Sequence, residues 1–241
     1  MQGIPEPVEF HVDINTAPQP LKPMFPAQLT FRVSDPWKDR TVNKFVIVHE
    51  KLFHLFVVSQ DLEVFSHGHP TFTSDGVFKY PIKLPEAGMF RVLADYYPEG
   101  ATPQLTTKTL FVLGTPPAPA KLTRDYAAKS GENLRVSLET VPAVPVATQR
   151  TQLRFSVDPA GGLEKYLGAW AHMLAASDDL IDLMHQHPFV ADGGPVIDFS
   201  LVFPRARTYR VWVQFQRNGT VNTVHFDVPV KNPPNEAEKV N

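Results

Sequence analysis

The chain has 241 residues, 43% hydrophobic and 20% charged, with a formal net charge of −2, enough apolar material for one large domain or two ordinary ones. No basic stripe interleaved with aromatics is present, which argues against a nucleic-acid partner, and no apolar run reaches the roughly 18 residues of a membrane helix. There is no cysteine, so disulfides and thiolate sites are excluded and any transition-metal site must use His, Met, carboxylate or water.

In chain order, Met1 to Pro7 reads as a disordered or edge lead-in, without the charged and apolar regions of a signal peptide. A leader removed earlier would leave the same start. Val8 to Ile14 and Ala27 to Val33 alternate as strands, and Lys44 to Glu50 reads as a third. A His-bearing hairpin follows, then strands over Val77 to Leu84, Met89 to Tyr96 and Leu105 to Leu113. Gly114 to Ala120 is a Pro-rich spacer, and then the pattern restarts. Leu134 to Leu138 alternates, Thr151 to Pro159 echoes Ala27 to Pro36, a second His hairpin follows, Phe203 to Val211 echoes Leu84 to Val92, and Val224 to Val230 closes the set. The polar end should be disordered. The 24 prolines fall between short β-branched and aromatic runs, which punctuates strands and argues against long helices. The expected organisation is all-β: two tandem immunoglobulin-like antiparallel sandwiches from an internal duplication, over residues 7–114 and 121–231, with a linker at 115–120 and a tail at 232–241.

The duplication is clearest at the two hairpins. Phe53 to Pro70 reads FHLFVVSQDLEVFSHGHP and Ala171 to Pro188 reads AHMLAASDDLIDLMHQHP. His54, His67 and His69 answer to His172, His185 and His187 at a constant offset of 118. Taken alone, Ala169 to Met184 suits a helix. Its copy is aromatic and β-branched and does not, and thirteen steps of about 100° would point His172 and His185 far apart. Strands are therefore expected in both.

With Ser59 to Leu62 as the first turn, paired residue numbers add to 121 and His54 falls opposite His67. With Asp178 and Asp179 central in the second, they add to 357 and His172 falls opposite His185. His69 and His187 lie two residues on, hence on the same face. Same-face neighbours such as Phe56, Val58, Phe65, Trp170, Leu174, Ile181 and Leu183 are of core type, so the histidines are expected on the inward face. Three imidazoles there need partners, and one ion would serve all three.

Neutral imidazoles with an open fourth position suit copper or, alternatively, zinc. Met173 and Met184 alternate to the other face and read as core or surface residues. His49 and Glu50 are candidates for a fourth ligand or an outer hydrogen-bond partner, and the second unit has Leu167 and Gly168 there. The competing reading is a structural or protein-interaction module, whose sandwiches present edges and loops to a partner and whose imidazoles bond carbonyls to pin the strand ends. His11 and His225 lack counterparts and read as structural or solvent-facing. Arg91 and Arg210 read as packed or paired, Trp170 and Trp212 as core. No phosphate loop, nucleophile elbow or general base at fixed spacing appears, so the chain does not read as an enzyme; a three-His zinc hydrolase is the least favoured alternative.

The segments VHEKLFHLFVVSQDLEVFSHGHP and LPEAGMFRVLADYYPEG, with YLGAWAHMLAASDDLIDLMHQHP and YRVWVQFQRNGTVNT in the second half, resemble bacterial secreted or membrane-tethered β-sandwich proteins of the YtkA-like and FixH-like kind. The resemblance covers most of residues 8–230. It implies a periplasmic or extracellular protein associated with copper handling, with a metal ion and another exported protein as the expected partners.

Overall fold

Alternation decides most of the architecture. Along Arg150–Asp158 the buried positions are Thr151, Leu153, Phe155 and Val157, and along Pro26–Asp35 they include Leu29, Phe31 and Val33. Such period-two segments leave one face apolar and must pair it with another sheet. The computed structural model describes residues 9–38, 40–189 and 192–234, and among these there are strands and no helix. The expected lead-in and most of the expected tail lie outside the described residues.

The chain divides into two compact units between Pro119 and Ala120. Unit 1 holds β1 His11–Ala17, β2 Pro26–Asp35, β3 Arg40–Thr41, β4 Phe53–Ser59, β5 Phe65–Gly68, β6 Thr71–Phe72, β7 Val77–Lys83, β8 Gly88–Tyr96 and β9 Gln104–Val112. Unit 2 holds β10 Lys129–Ser130, β11 Arg135–Val141, β12 Arg150–Asp158, β13 Leu163–Glu164, β14 His172–Ser177, β15 Leu183–Gln186, β16 Val196–Val202, β17 Thr208–Arg217 and β18 Thr220–Pro229.

In unit 1, β1-β2-β7-β6 faces β5-β4-β8-β9. In unit 2, β10-β11-β12-β16 faces β15-β14-β17-β18, and every named ladder is antiparallel. Each unit is thus an immunoglobulin-like sandwich, and the duplication extends to its topology. Each has its own core. Phe31, Phe53, Phe78, Phe90 and Tyr96 centre the first, and Phe155, Phe199, Tyr209, Phe215 and Phe226 the second.

Two local expectations are corrected and one strand was missed. Lys44 to Glu50 is not a strand; it makes only isolated bridges, Phe45 to Pro98 and Val48 to Lys51. The first strand begins three residues later than its alternation suggested. A strand at Val196–Val202, the counterpart of β7, had no distinct signal among its Gly- and Pro-rich surroundings. The segment with helical composition forms β14 and β15, as its copy required.

The corner before β17 carries a tyrosine corner. The Tyr209 hydroxyl donates to the Asp182 carboxylate at 2.8 Å and lies 3.0 Å from the Arg205 carbonyl. Unit 1 has Phe90 at this point, buried in the core.

Candidate metal centres

Both hairpins turn through four residues. Ser59 N–H donates to the Val64 carbonyl at 3.1 Å, and Ser177 N–H to the Asp182 carbonyl at 3.0 Å. Each loop is held by the same Ser–Asp pair. Ser59 Oγ accepts from Val64 N–H at 2.9 Å while Asp61 accepts from Glu63 N–H at 3.1 Å; Ser177 and Asp179 do the same for Asp182 and Ile181 at 3.0 and 3.2 Å. Leu62 and Leu180 complete the turns at φ 61° and 56°. The longer loop moves the register by two. Phe56 faces His67, so paired numbers add to 123; Leu174 faces His185, so they add to 359. The expected pairings of His54 with His67 and of His172 with His185 are therefore wrong. A slip of two preserves the face, where a slip of one would have reversed it, and each trio still converges.

One ring nitrogen from each of His54, His67 and His69 lies within 4.8 Å of the other two, and the same holds for His172, His185 and His187. No other such grouping of three or more metal-ligating side chains occurs among the described residues. In unit 1, His54 Nδ1 is 3.3 Å from His67 Nε2, and in unit 2 His172 Nδ1 is 3.1 Å from His187 Nε2. Two nitrogens bound tetrahedrally at 2.0–2.1 Å to one ion are about 3.3 Å apart, so one edge of a coordination polyhedron is already formed in each trio. The first ring is edge-on to the last of the trio in both, His54 to His69 at 5.0 Å and 83°, His172 to His187 at 4.8 Å and 85° between ring centroids.

A backbone carbonyl orients the first ring. His54 Nε2–H donates to the Val48 carbonyl at 3.0 Å, and His172 Nε2–H to the Tyr166 carbonyl at 2.8 Å. Both carbonyls come from tight turns closed by antiparallel bridges, Val48 with Lys51 and Tyr166 with Ala169. The central residues have positive φ: His49 48°, Glu50 65°, Leu167 50°, Gly168 78°, as a type I′ turn requires. With Nε2 committed, the lone pair of Nδ1 is left toward the other imidazoles, the outer-shell arrangement common for metal-ligating histidines. His49 and Glu50 thus shape the turn whose carbonyl orients His54.

The trios lie on the face opposite the core, not on the inward face. Phe53, Leu55 and Val57 of β4 join the unit 1 core while His54, Phe56 and Val58 alternate away from it; in unit 2, Ala171, Met173 and Ala175 join the core and His172, Leu174 and Ala176 do not. Yet His54 and His172 are only 2% and 1% exposed. Phe56 stacks on His67 at 4.2 Å, and the Tyr166 ring stands edge-on to His172 at 5.5 Å. Met173 and Met184 pack with the core: they alternate with the histidines, and since the histidines face away from the core, the methionines face it, the reverse of the sides expected.

Beside His54, directly across the ladder, is Asp95; beside His172 is Gln214. Both are buried. Burial lowers the pKa of His54, opposed by its bond to Val48 and by the charge of Asp95, and burial also lowers that of His49. Burial raises Asp95 to about 6, against the pull of His54 and His49. Sequence reasoning passed over Asp95 as a site residue, because only the register between β4 and β8 shows it at the trio.

Of the remaining candidates, His11 is exposed beside Asp13 at 3.1 Å. His225 faces Trp212 across β17 and β18. Arg210 is buried and grips Asp227 through two bonds of 2.8 and 3.0 Å, whereas Arg91 bonds Thr109 and Thr107. Trp212 is buried, but on the face of the trio and not in the core.

No curated protein matches the chain. Among solved structures, it is similar to FdeC, an adhesin of Escherichia coli (13% identity, 91% of this chain, 63% of that one, TM-score 0.31), and to the Yersinia pseudotuberculosis adhesin InvE (11%, 91%, 60%, TM-score 0.30). A Ca2+-stabilised ice-binding adhesin of an Antarctic bacterium gives 10% identity over 95% of this chain and 50% of that one, with a TM-score of 0.31. The chain thus spans less than two thirds of each of these proteins, and likenesses of this size carry nothing about activity or partners. No match to YtkA-like or FixH-like domains is found, so the copper association implied by that resemblance has no support from relatives. A family model described as a domain of unknown function, DUF8832, matches residues 8–110 and again residues 128–232, and the chain therefore belongs to the DUF8832 family as a tandem pair.

Proposed function

We propose that the protein binds one transition-metal ion at each histidine trio, through His54, His67 and His69 in unit 1 and His172, His185 and His187 in unit 2, without turning over a substrate. The observation that carries this reading is common to both units: a carbonyl takes the Nε2 proton of the first histidine and leaves its Nδ1 lone pair close to another imidazole nitrogen, that of His67 at 3.3 Å in unit 1 and that of His187 at 3.1 Å in unit 2. Copper is favoured, since divalent copper outranks zinc in intrinsic affinity for nitrogen donors; zinc is the alternative. An exported location and an exported protein partner complete the reading and rest on the sequence resemblance.

One observation favours a rival. Nitrogens 3.1–3.3 Å apart also suit a shared proton, an N–H···N bond pinning the hairpin end. Metal titration of chelator-stripped protein separates the two. Binding of about two equivalents of Cu(II) or Zn(II), reduced to one when either trio is changed to alanine, supports metal binding. Uptake no greater than in a variant lacking both trios leaves the structural role.

A further inference from the structure

The two trios are near copies, but their charged surroundings are not. Asp95 is the cross-strand partner of His54 and is 5% exposed, whereas Gln214 is the partner of His172 and is 8% exposed. Directly opposite residues on a ladder have Cβ atoms about 4.5–5.5 Å apart. The charge of Asp95 acts on His54 and His49 together, while unit 2 offers Leu167 at the position of His49. Gln214 Nε2 donates to Thr223 Oγ1 at 3.0 Å, a neutral bond within the sheet.

We propose that Asp95 is a charge-balancing residue that shifts the first centre toward divalent ions, and that the second centre, with Gln214 in its place, lacks this added preference. This rests on the metal-binding reading above. Asp95 is not among the three grouped nitrogen donors, so its part is electrostatic. Three neutral imidazoles leave the whole charge of a bound ion uncompensated in a buried setting, which is costly. A buried carboxylate offsets that cost in proportion to the ion's charge, because the interaction scales with the product of charges. Its contribution to the logarithm of affinity is therefore about twice as large for Zn(II) as for Cu(I).

The test uses full-length, chelator-stripped protein in which one trio at a time is disabled, by His185→Ala with His187→Ala or by His67→Ala with His69→Ala. Zn(II) and Cu(I) affinities are measured by competition with chelators of known strength. The first centre should bind Zn(II) about 10–100-fold more tightly than the second, the usual size of a partner effect just outside the ligands. Asp95→Asn should erase that difference while costing Cu(I) only about 3–10-fold. Gln214→Glu should raise Zn(II) affinity at the second centre, a gain that misfolding cannot produce. Equal Zn(II) affinities at the two centres, or an Asp95→Asn loss of the same size for both ions, overturns the inference and leaves metal binding standing. Absence of binding at either centre overturns both.

Discussion

In metal-free protein, Asp95→Asn should stabilise the fold at neutral pH. Burial lifts the carboxyl of Asp95 from 3.8 to about 6. The folded state therefore holds this proton more tightly than the unfolded state does, so the group's contribution to stability is complete below 3.8 and is lost as pH rises through about 6. Above that, folding carries an ionised carboxylate into a buried position. At about 1.4 kcal/mol per pKa unit, the burden is on the order of 3 kcal/mol. Asparagine keeps the shape without the charge. Urea denaturation in chelator should show the variant up to about 3 kcal/mol more stable than wild type near pH 7.5, a midpoint shift of about 1–2 M. His54 titrates with the opposite sign. Its lowered pKa means that its contribution is present above 6.5 and lost as pH falls through its folded value. Comparing the variant with wild type at each pH sets most of that background aside. Near pH 4.5 the advantage of the variant should have fallen to about 1 kcal/mol. A gain of the same size at both pH values, or a loss near pH 7.5, would refute the electrostatic reasoning.

Other outcomes follow from the hairpins. Arg205 bonds Asp179 twice, at 2.8 and 2.9 Å, and Asp182 once, at 2.9 Å, and holds the Asp179 carboxyl well below the usual range. Because that contribution is present above the unfolded pKa and lost in acid, Arg205→Ala should cost about 1–2 kcal/mol near pH 7 and much less in strong acid, read from urea melts. Gly68→Ala would place a Cβ 2.3 Å from the Tyr80 hydroxyl oxygen; it should cost about 1–3 kcal/mol and weaken metal binding at the first centre. Its counterpart Gln186→Ala should change stability by less than about 1 kcal/mol, both variants being read from thermal melts. Metal at about a hundred times its Kd should add about 2.7 kcal/mol to stability, an increment that shrinks in acid as protons compete for the imidazoles. Thermal melts with and without chelator measure it.

Much of this architecture was legible because the chain carries two copies. The constant offset of the six histidines pointed to a duplicated unit, and the β-branched copy settled the ambiguous Ala-, Leu- and Met-rich segment as strands. The register was not legible. Leu62 and Leu180 adopt positive φ, which a leucine rarely does, and their side chains are buried at 0% and 2%. Nothing in the local sequence announces a four-residue loop closed by a buried leucine. The face was misread for a different reason. All seven residues of β4 are buried, and alternation cannot distinguish the core side of a strand covered on both sides. The ring-orienting carbonyls of Val48 and Tyr166 are main-chain atoms, invisible in side-chain identities.

Those carbonyls also limit how each site can respond to a changed ligand. Rotating the His54 or His172 ring away would release a bond anchored in a turn that is itself bridged shut. Adjustment to a larger or smaller ion then falls to the other two histidines, where β5 and β15 run out. Each unit thus pairs a fixed jaw with a movable one, and differences in ionic radius should register as displacements around His69 and His187 rather than at the first histidine.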